Sequence, residues 1–355
     1  PDYKFKYIDI SCVSTGEVKP PSQHILFQDA PSRAKRIVKK NDVLVATVRP
    51  NLKAFAHFDE EGEDWIASTG FAVLQNKEKA DSRFIYNVML SDDVSRQIEK
   101  LVAGSNYPAI NSSDIKELSV LAPPLPEQKK IASILTSVDE VIETTQKQID
   151  KLQDLKKATM NELLTKGIGH TEFKDSALGR IPKNWKVVRL NDLCSLHYGK
   201  SPKEIEDDDG KYPIYGTGGI VGKTNSSLHS GKSIVIGRKG SIDNVSFVKL
   251  PFWAIDTTYY VEAKNVEMKW LFYRLQYEGL KKYNEASGVP SLNRGTLYNI
   301  SIQSPPRSEQ TEICGILDTV DFHISSQKNK LSQTQSLKKS LMQDLLTGKV
   351  RVQVN

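Results

Sequence analysis

The sequence predicts an α+β protein. Two tandem globular segments of mixed and antiparallel strands with helices are separated by two long helices, which pair as an antiparallel coiled coil with pseudo-two-fold symmetry. Three observations predict this. A proline-rich opening before a long helical run occurs twice, as Pro123-Pro124-Leu125-Pro126-Glu127-Gln128 and Pro305-Pro306-Arg307-Ser308-Glu309-Gln310. The copies stand 182 positions apart and keep that offset without a gap through Ile131/Ile313, Leu135/Leu317, Val138/Val320, Asp139/Asp321, Leu155/Leu337, Lys156/Lys338, Met160/Met342 and Thr165/Thr347. The segments before each copy share scattered scaffold positions, so the whole chain reads as a tandem duplication.

Residues 1–122 form the first segment. Asp42–Val48 is a β-branched run stopped by Arg49-Pro50-Asn51, and Trp65–Leu74 is a second strand-like run. Phe84–Leu101 has helical periodicity, with apolar Ile85, Val88, Met89, Val94, Ile98 and Leu101. Gly104–Pro108 reads as a loop and Leu118–Leu121 as a last short strand. Residues 171–304 repeat the plan. Asp9-Ile10 and Gly16 match Asp192-Leu193 and Gly199; Val43–Val45 matches Ile234–Ile236; Pro108 and Asn111 match Pro290 and Asn293. Trp65 and Trp253 fall at equivalent strand positions, which favours core packing over base stacking.

The linking segments are 123–170 and 305–355. In the first, Ile131, Leu135, Val138, Ile142, Ile149 and Leu152, with Thr145 between, step by 4 and 3 as a heptad seam. The second carries Ile313, Leu317, Val320, Ile324, Leu331 and Leu337, interrupted by polar Gln327 and Thr334. Prolines set each start; Gly167 and Gly348 set each end. The first helix ends where the second segment begins, so paired seams must run antiparallel.

The chain has 355 residues, is 38% hydrophobic and 26% charged, and carries a net charge of +6. That suits two globular domains and permits a polyanionic partner. No apolar run is long enough for a bilayer, and Pro1-Asp2-Tyr3-Lys4 has no signal-peptide pattern, so a cytoplasmic protein is expected. Cys12, Cys194 and Cys314 are odd in number and far apart, which argues against a disulfide framework or zinc site. Asp207, Asp208 and Asp209 read as an exposed loop, since consecutive carboxylates cannot all face one ion.

Candidate DNA contacts follow from loop position alone. Thr47, Arg49, Asn51 and Lys53 lie just past a strand in the first segment, with Ser105, Asn106 and Tyr107 in its later loop. Arg238, Lys239 and Ser241 stand past the corresponding strand of the second segment, in the place that Arg49 holds in the first. Tyr215, Thr217, Gly218, Gly219 and Lys223 occupy a glycine-rich stretch, and Arg294 follows Asn293. Basic groups at strand ends can meet phosphates or guanine edges. A nucleotide-binding enzyme built on the loop at Gly216 is the alternative, but the phosphate-loop spacing fails because position 217 is Thr. A scaffold whose coiled coil only joins partners is a third reading. Hydrolase, zinc-protease and kinase signatures are missing.

The Pro-Pro-Leu-Pro-Glu-Gln-Lys-Lys-Ile-Ala opening, the Met-x-x-Leu-Leu-Thr close, Gly179–Trp185, Tyr212-Pro213-Ile214-Tyr215-Gly216 and Ile236–Ser241 resemble the specificity subunit of Type I restriction-modification systems. The resemblance covers essentially the whole chain. It implies two target-recognition domains, 1–122 and 171–304, each reading one half of a bipartite, asymmetric DNA sequence. The helices would set the spacer and dock two methyltransferase subunits, joined in some systems by restriction subunits. It implies no catalytic residues, metal or cofactor in this chain. S-adenosylmethionine, and ATP with magnesium for restriction, would be bound by the partners.

Overall fold

The computed structural model describes residues 2–75, 80–102 and 108–354. The chain divides into two compact units, Pro1–Lys147 with Lys328–Asn355, and Gln148–Gln327. Each holds one β-rich domain and half of each long helix. No helix among the described residues is long and apolar enough to cross a membrane. Cys12, Cys194 and Cys314 are free thiols.

In the first unit, Val43–Ala46 is the centre of an antiparallel sheet, flanked by Phe55–His57 and Phe71–Leu74. Its four residues are fully buried, which explains a continuous apolar run where a half-buried strand would alternate. A second sheet has the order Ile25–Leu26, Lys4–Ile8, Trp65–Ser68, Ala34–Val38, with Lys4–Ile8 parallel to Trp65–Ser68. Trp65 is core: it packs edge-on against Phe58, and its indole N–H donates to the Glu61 carbonyl at 2.9 Å.

The second unit repeats the central arrangement, with Ser233–Gly237 between Val245–Val248 and Thr258–Ala263, and adds Cys194–Tyr198 at the edge. Trp253 differs from Trp65. It is half-buried, and its indole donates to the Lys200 carbonyl at 2.7 Å.

Three expected elements are corrected. The run Trp65–Leu74 is two strands, because Thr69-Gly70 turns the chain from one sheet to the other. The run Phe84–Leu101 is two helices, Ser82–Leu90 and Asp92–Leu101. Ser91 is extended there, and its hydroxyl caps the second helix through Val94 N–H at 3.2 Å. Leu118–Leu121 is not a strand, and no strand among the described residues lies beside it. The corresponding Ser301–Ser304 does pair, with Lys186–Arg189.

The long helices span Leu125–Thr165 and Arg307–Leu346, 41 and 40 residues, each about 60 Å at 1.5 Å per residue. Pro126 sits in the first turn, where its missing N–H leaves no gap in the helix ladder. Gly167 and Gly348 follow the ends with φ of +72° and +71°, the left-handed conformation that favours glycine.

The helices pair antiparallel, and the pairing is reciprocal. Asp139 meets Lys338 at 2.6 Å, and Lys156 meets Asp321 at 2.7 Å. Moving forward on the first helix moves backward on the second, and the four residues are two of the sequence's 182-offset pairs. In the second unit the Tyr273 hydroxyl donates to Asp321 and Asp318 at 2.8 and 2.5 Å, while Lys156 lies 5.4 Å from its ring. Burial, together with those two carboxylates, pushes the Tyr273 hydroxyl well above its ordinary pKa. Tyr86 is the counterpart in the first unit, raised by burial and then by the charge of Asp139. In each unit a tyrosine of the β-rich domain thus faces an aspartate–lysine bridge between the long helices.

The repeated Glu-Gln pair has the same explanation. The Gln128 side-chain oxygen accepts from Asp81 N–H and its amide donates to the Pro123 carbonyl; Gln310 does likewise with Glu267 and Pro305. Each glutamine therefore ties the helix opening to the residue that begins a helix of its β-rich domain. Glu127 receives Arg351 at 2.8 and 2.7 Å. Glu309 receives Ile168 N–H, the His170 ring and the buried Trp185 indole N–H. Each carboxylate thus clamps the chain that leaves the opposite helix.

Hydrogen bonding from Arg351 holds the Glu127 carboxyl below its ordinary value of 4.5. A lowered carboxylate pKa adds stability that is complete above the unfolded value and disappears as pH falls through the folded one. Glu127→Gln is therefore expected to flatten the loss of thermal stability of the first unit below about pH 4.5. Melting curves of both proteins between pH 6 and pH 3 check this; parallel curves would contradict it.

Along the seam, Ile131, Leu135, Thr145, Ile149, Ile313, Leu317 and Ile324 are buried, and Val138, Ile142, Leu152, Val320, Leu331 and Thr334 half-buried. Leu337 is corrected. It is 53% exposed, and the next heptad position is taken by Lys338, which needs the inward place to reach Asp139. Gln327 is half-buried, and its side-chain oxygen finds no partner among the described residues.

Candidate nucleic-acid interface

In both units the chain leaving the central strand turns against a segment that begins at a proline. In the first, Arg49 N–H donates to the Pro108 carbonyl at 2.7 Å and Ile110 N–H to the Thr47 carbonyl at 2.9 Å. In the second, Gly240 N–H donates to the Pro290 carbonyl at 2.8 Å and Leu292 N–H to the Arg238 carbonyl at 2.9 Å. Val48 bridges Ala109 as Lys239 bridges Ser291. This register makes Thr47 the counterpart of Arg238 and Arg49 of Gly240, which is where the match of Val43–Val45 with Ile234–Ile236 leads when carried forward without a gap; the placing of Arg49 opposite Arg238 is corrected by two positions. Arg49 and Gly240 both have positive φ, +50° and +91°, which confirms the register.

The hydrogen bonds sort the candidates. Thr47 is 5% exposed, and its hydroxyl donates to the Gly70 carbonyl at 2.9 Å, which removes it from any outward surface. Lys53 is half-buried and donates to the Leu90 carbonyl at 3.0 Å, at the negative end of a helix, so it is a structural cation. Arg49 and Asn51 are exposed. Ser105, Asn106 and Tyr107 lie outside the described residues.

In the second unit, Lys239, Ser241, Lys223 and Gly218 are exposed. Gly216 and Gly219 close the hairpin Tyr212–Gly216/Gly219–Thr224 around Thr217-Gly218. A phosphate loop requires a helix after its glycines, and here the chain continues as a strand, so the nucleotide-binding alternative lacks its structural context. Thr217 is half-buried, and its carbonyl accepts from Asn244. Tyr215 is half-buried against Phe252, where burial raises its hydroxyl. Asp207–Asp209 form an exposed turn in which Asp207 accepts from Asn225 and Asp209.

Arg238 and Arg294 converge from different elements. Their guanidinium groups lie 5.5 and 4.8 Å from the centre of one ring, that of Tyr198. Tyr198 escapes the sequence reading of contacts, although it directly precedes Gly199, a matched scaffold glycine. That glycine is required because a Cβ there would collide with the backbone of Ala254 and Ile255.

A family model described as the Type I restriction modification DNA specificity domain matches residues 1–154 and 182–334. The chain is 29% identical over 354 residues to the Type I restriction enzyme MjaVIII specificity subunit of Methanocaldococcus jannaschii, with 89% of this chain and 80% of that protein covered. It is 31% identical over 298 residues to the putative type I restriction enzyme MjaX specificity subunit of the same organism, covering 78% and 70%. In fold it is similar to the crystal structure of the S subunit of a Type I restriction-modification system from M. genitalium, with a TM-score of 0.66, 19% identity, and 98% and 89% of the two chains covered.

Proposed function

Because the chain belongs to the family of Type I restriction-modification DNA specificity subunits, we propose that its two β-rich domains each read one half of a bipartite, asymmetric DNA target, with the long helices setting the distance between the halves. A specificity subunit is the non-catalytic member of such an enzyme and recognises its DNA target. The observation that carries the finer reading is the turn after the central strand. The same hydrogen-bonded scaffold carries Thr47, Val48 and Arg49 in one unit and Arg238, Lys239 and Gly240 in the other, and it leaves Arg49 and Lys239 exposed. Equal scaffolds with unequal tips suit two readers of unequal sequences.

A footprint of the assembled complex tests it. Arg238→Ala combined with Lys239→Ala is expected to lose protection over one half-site and keep the other. Binding should weaken roughly tenfold, with a salt dependence shallower by about two counterions. Unchanged protection of both halves would contradict it.

The methyltransferase subunits, which would hold the S-adenosylmethionine, dock on the helices in this reading. Leu155 and Leu337 support two copies of one partner, since they are equivalent in the repeat and 52% and 53% exposed. Exposed leucines at matched places suit a repeated contact. Leu155→Asp is expected to reduce the complex from two methyltransferases to about one, and the double substitution with Leu337→Asp to about none. Light scattering of the purified complex reads this directly; full occupancy in the double variant would contradict it.

A further inference from the structure

Tyr198 ends the strand Cys194–Tyr198 and is 47% exposed. Its mounting is rigid. Its neighbour Tyr259, with centroids 5.1 Å apart, is 1% exposed and donates to the Leu292 carbonyl at 3.1 Å. Arg294 and Arg238 both lie over the Tyr198 ring. Arg238 is further fixed, since its Nε and one terminal nitrogen donate to the Asp256 carbonyl at 3.2 and 3.0 Å. That contact occupies one of the two edges through which Arg238 could form a two-pronged bond. Arg294 differs. Among the described residues its guanidinium donates no hydrogen bond and meets no carboxylate, and neither arginine belongs to an ion pair. It is a charged fork held beside an aromatic ring by a cation–π contact.

The geometry points to Arg294 as the reader of a guanine in the target half engaged by the second unit, with Tyr198 as the residue that positions it. This deepens the recognition reading above and rests on it. A planar guanidinium matches the paired acceptors O6 and N7 that guanine shows in the major groove. Adenine presents an amino donor in place of O6 and is rejected by the same fork. Holding the fork on a tyrosine ring before binding lowers the entropy lost on contact. Arg238 supplies a second fixed charge beside it, which no carboxylate among the described residues pairs.

The test uses the full chain assembled with its methyltransferase subunits on a DNA library randomised across the target, with adenine methylation as the readout. The original protein is expected to require guanine at one position of one half-site. Arg294→Gln should relax that preference roughly ten- to hundredfold while leaving the other positions unchanged. Arg294→Lys should retain overall affinity and lose part of the guanine preference. Tyr198→Leu should relax the same position, and Tyr198→Phe, which keeps the ring, should restore it. Uniform weakening across all sequences would mark Arg294 as a phosphate contact and overturn the inference. So would an unaltered guanine preference in Arg294→Gln within an intact two-part motif, an outcome that leaves the recognition reading standing. A library methylated without any two-part motif would overturn both.

Discussion

Glu309→Ala is expected to destabilise the second unit by about 2–4 kcal/mol, lowering its melting temperature by roughly 5–15 °C. Among the described residues the carboxylate is the one acceptor of three donors: Ile168 N–H at 3.1 Å, the His170 ring at 2.8 Å and the Trp185 indole at 3.0 Å. Trp185 is fully buried, so its orphaned N–H cannot turn to water. An unpaired buried donor costs more than an average hydrogen bond contributes. Gly167 lies against the same carboxylate with φ of +72°, so no side chain moves in to fill the vacated space without strain. Glu127→Ala should be milder, because its principal donor, Arg351, is 70% exposed and regains water. Differential scanning calorimetry of the two variants checks the ranking. Equal losses, or a larger loss for Glu127→Ala, would contradict the assignment of Glu309 as the buried clamp.

A heptad inserted into both long helices, after Lys147 and after Gln327, is expected to abolish methylation of the original target and move activity to one with a longer spacer. Both insertions are needed because the helices pair antiparallel, with Asp139 on Lys338 and Lys156 on Asp321. Seven residues keep the seam in phase within about 20° and add about 10 Å. That rise corresponds to roughly three base pairs at 3.4 Å each. Three base pairs also turn the duplex by about 100°, since a turn takes about 10.5. The shifted target should therefore be bound more weakly, at a torsional cost. Half-sites should keep their sequences. An unaltered spacer with full activity would contradict the proposed role of the helices.

The architecture was legible where physics repeats itself. The gapless 182-residue offset marks the two long helices, and the structure gives it a cause: Asp139 and Lys156 need Lys338 and Asp321 at fixed heights on the opposite helix. The buried Val43–Ala46 run was legible because continuous apolar strands are buried on both faces. Leu337 misled because it is apolar and close to the heptad step, while the true seam position is a lysine held by a distant aspartate. Ser91 misled because a cap inside a helical pattern costs the pattern nothing; only its extended backbone breaks the helix. The candidate interface was legible in outline alone. Basic residues past strand ends can be counted in a sequence, but Thr47 and Lys53 face inward through bonds to Gly70 and Leu90, residues 23 and 37 positions away. The equivalence of Arg49 with Gly240 follows from the match of Val43–Val45 with Ile234–Ile236 carried forward without a gap, and the hydrogen-bond register agrees with it. Tyr198 is the clearest omission, since only the fold brings two arginines to its ring.

Sequencing of methylated adenines in DNA modified by this chain together with its methyltransferase subunits tests the central claim most directly. Two unlike recognition domains joined by paired helices predict a single two-part motif, with different sequences in its halves, a spacer of fixed length and a methylated adenine in each half. A continuous motif, a symmetric one, or methylation independent of sequence would contradict it.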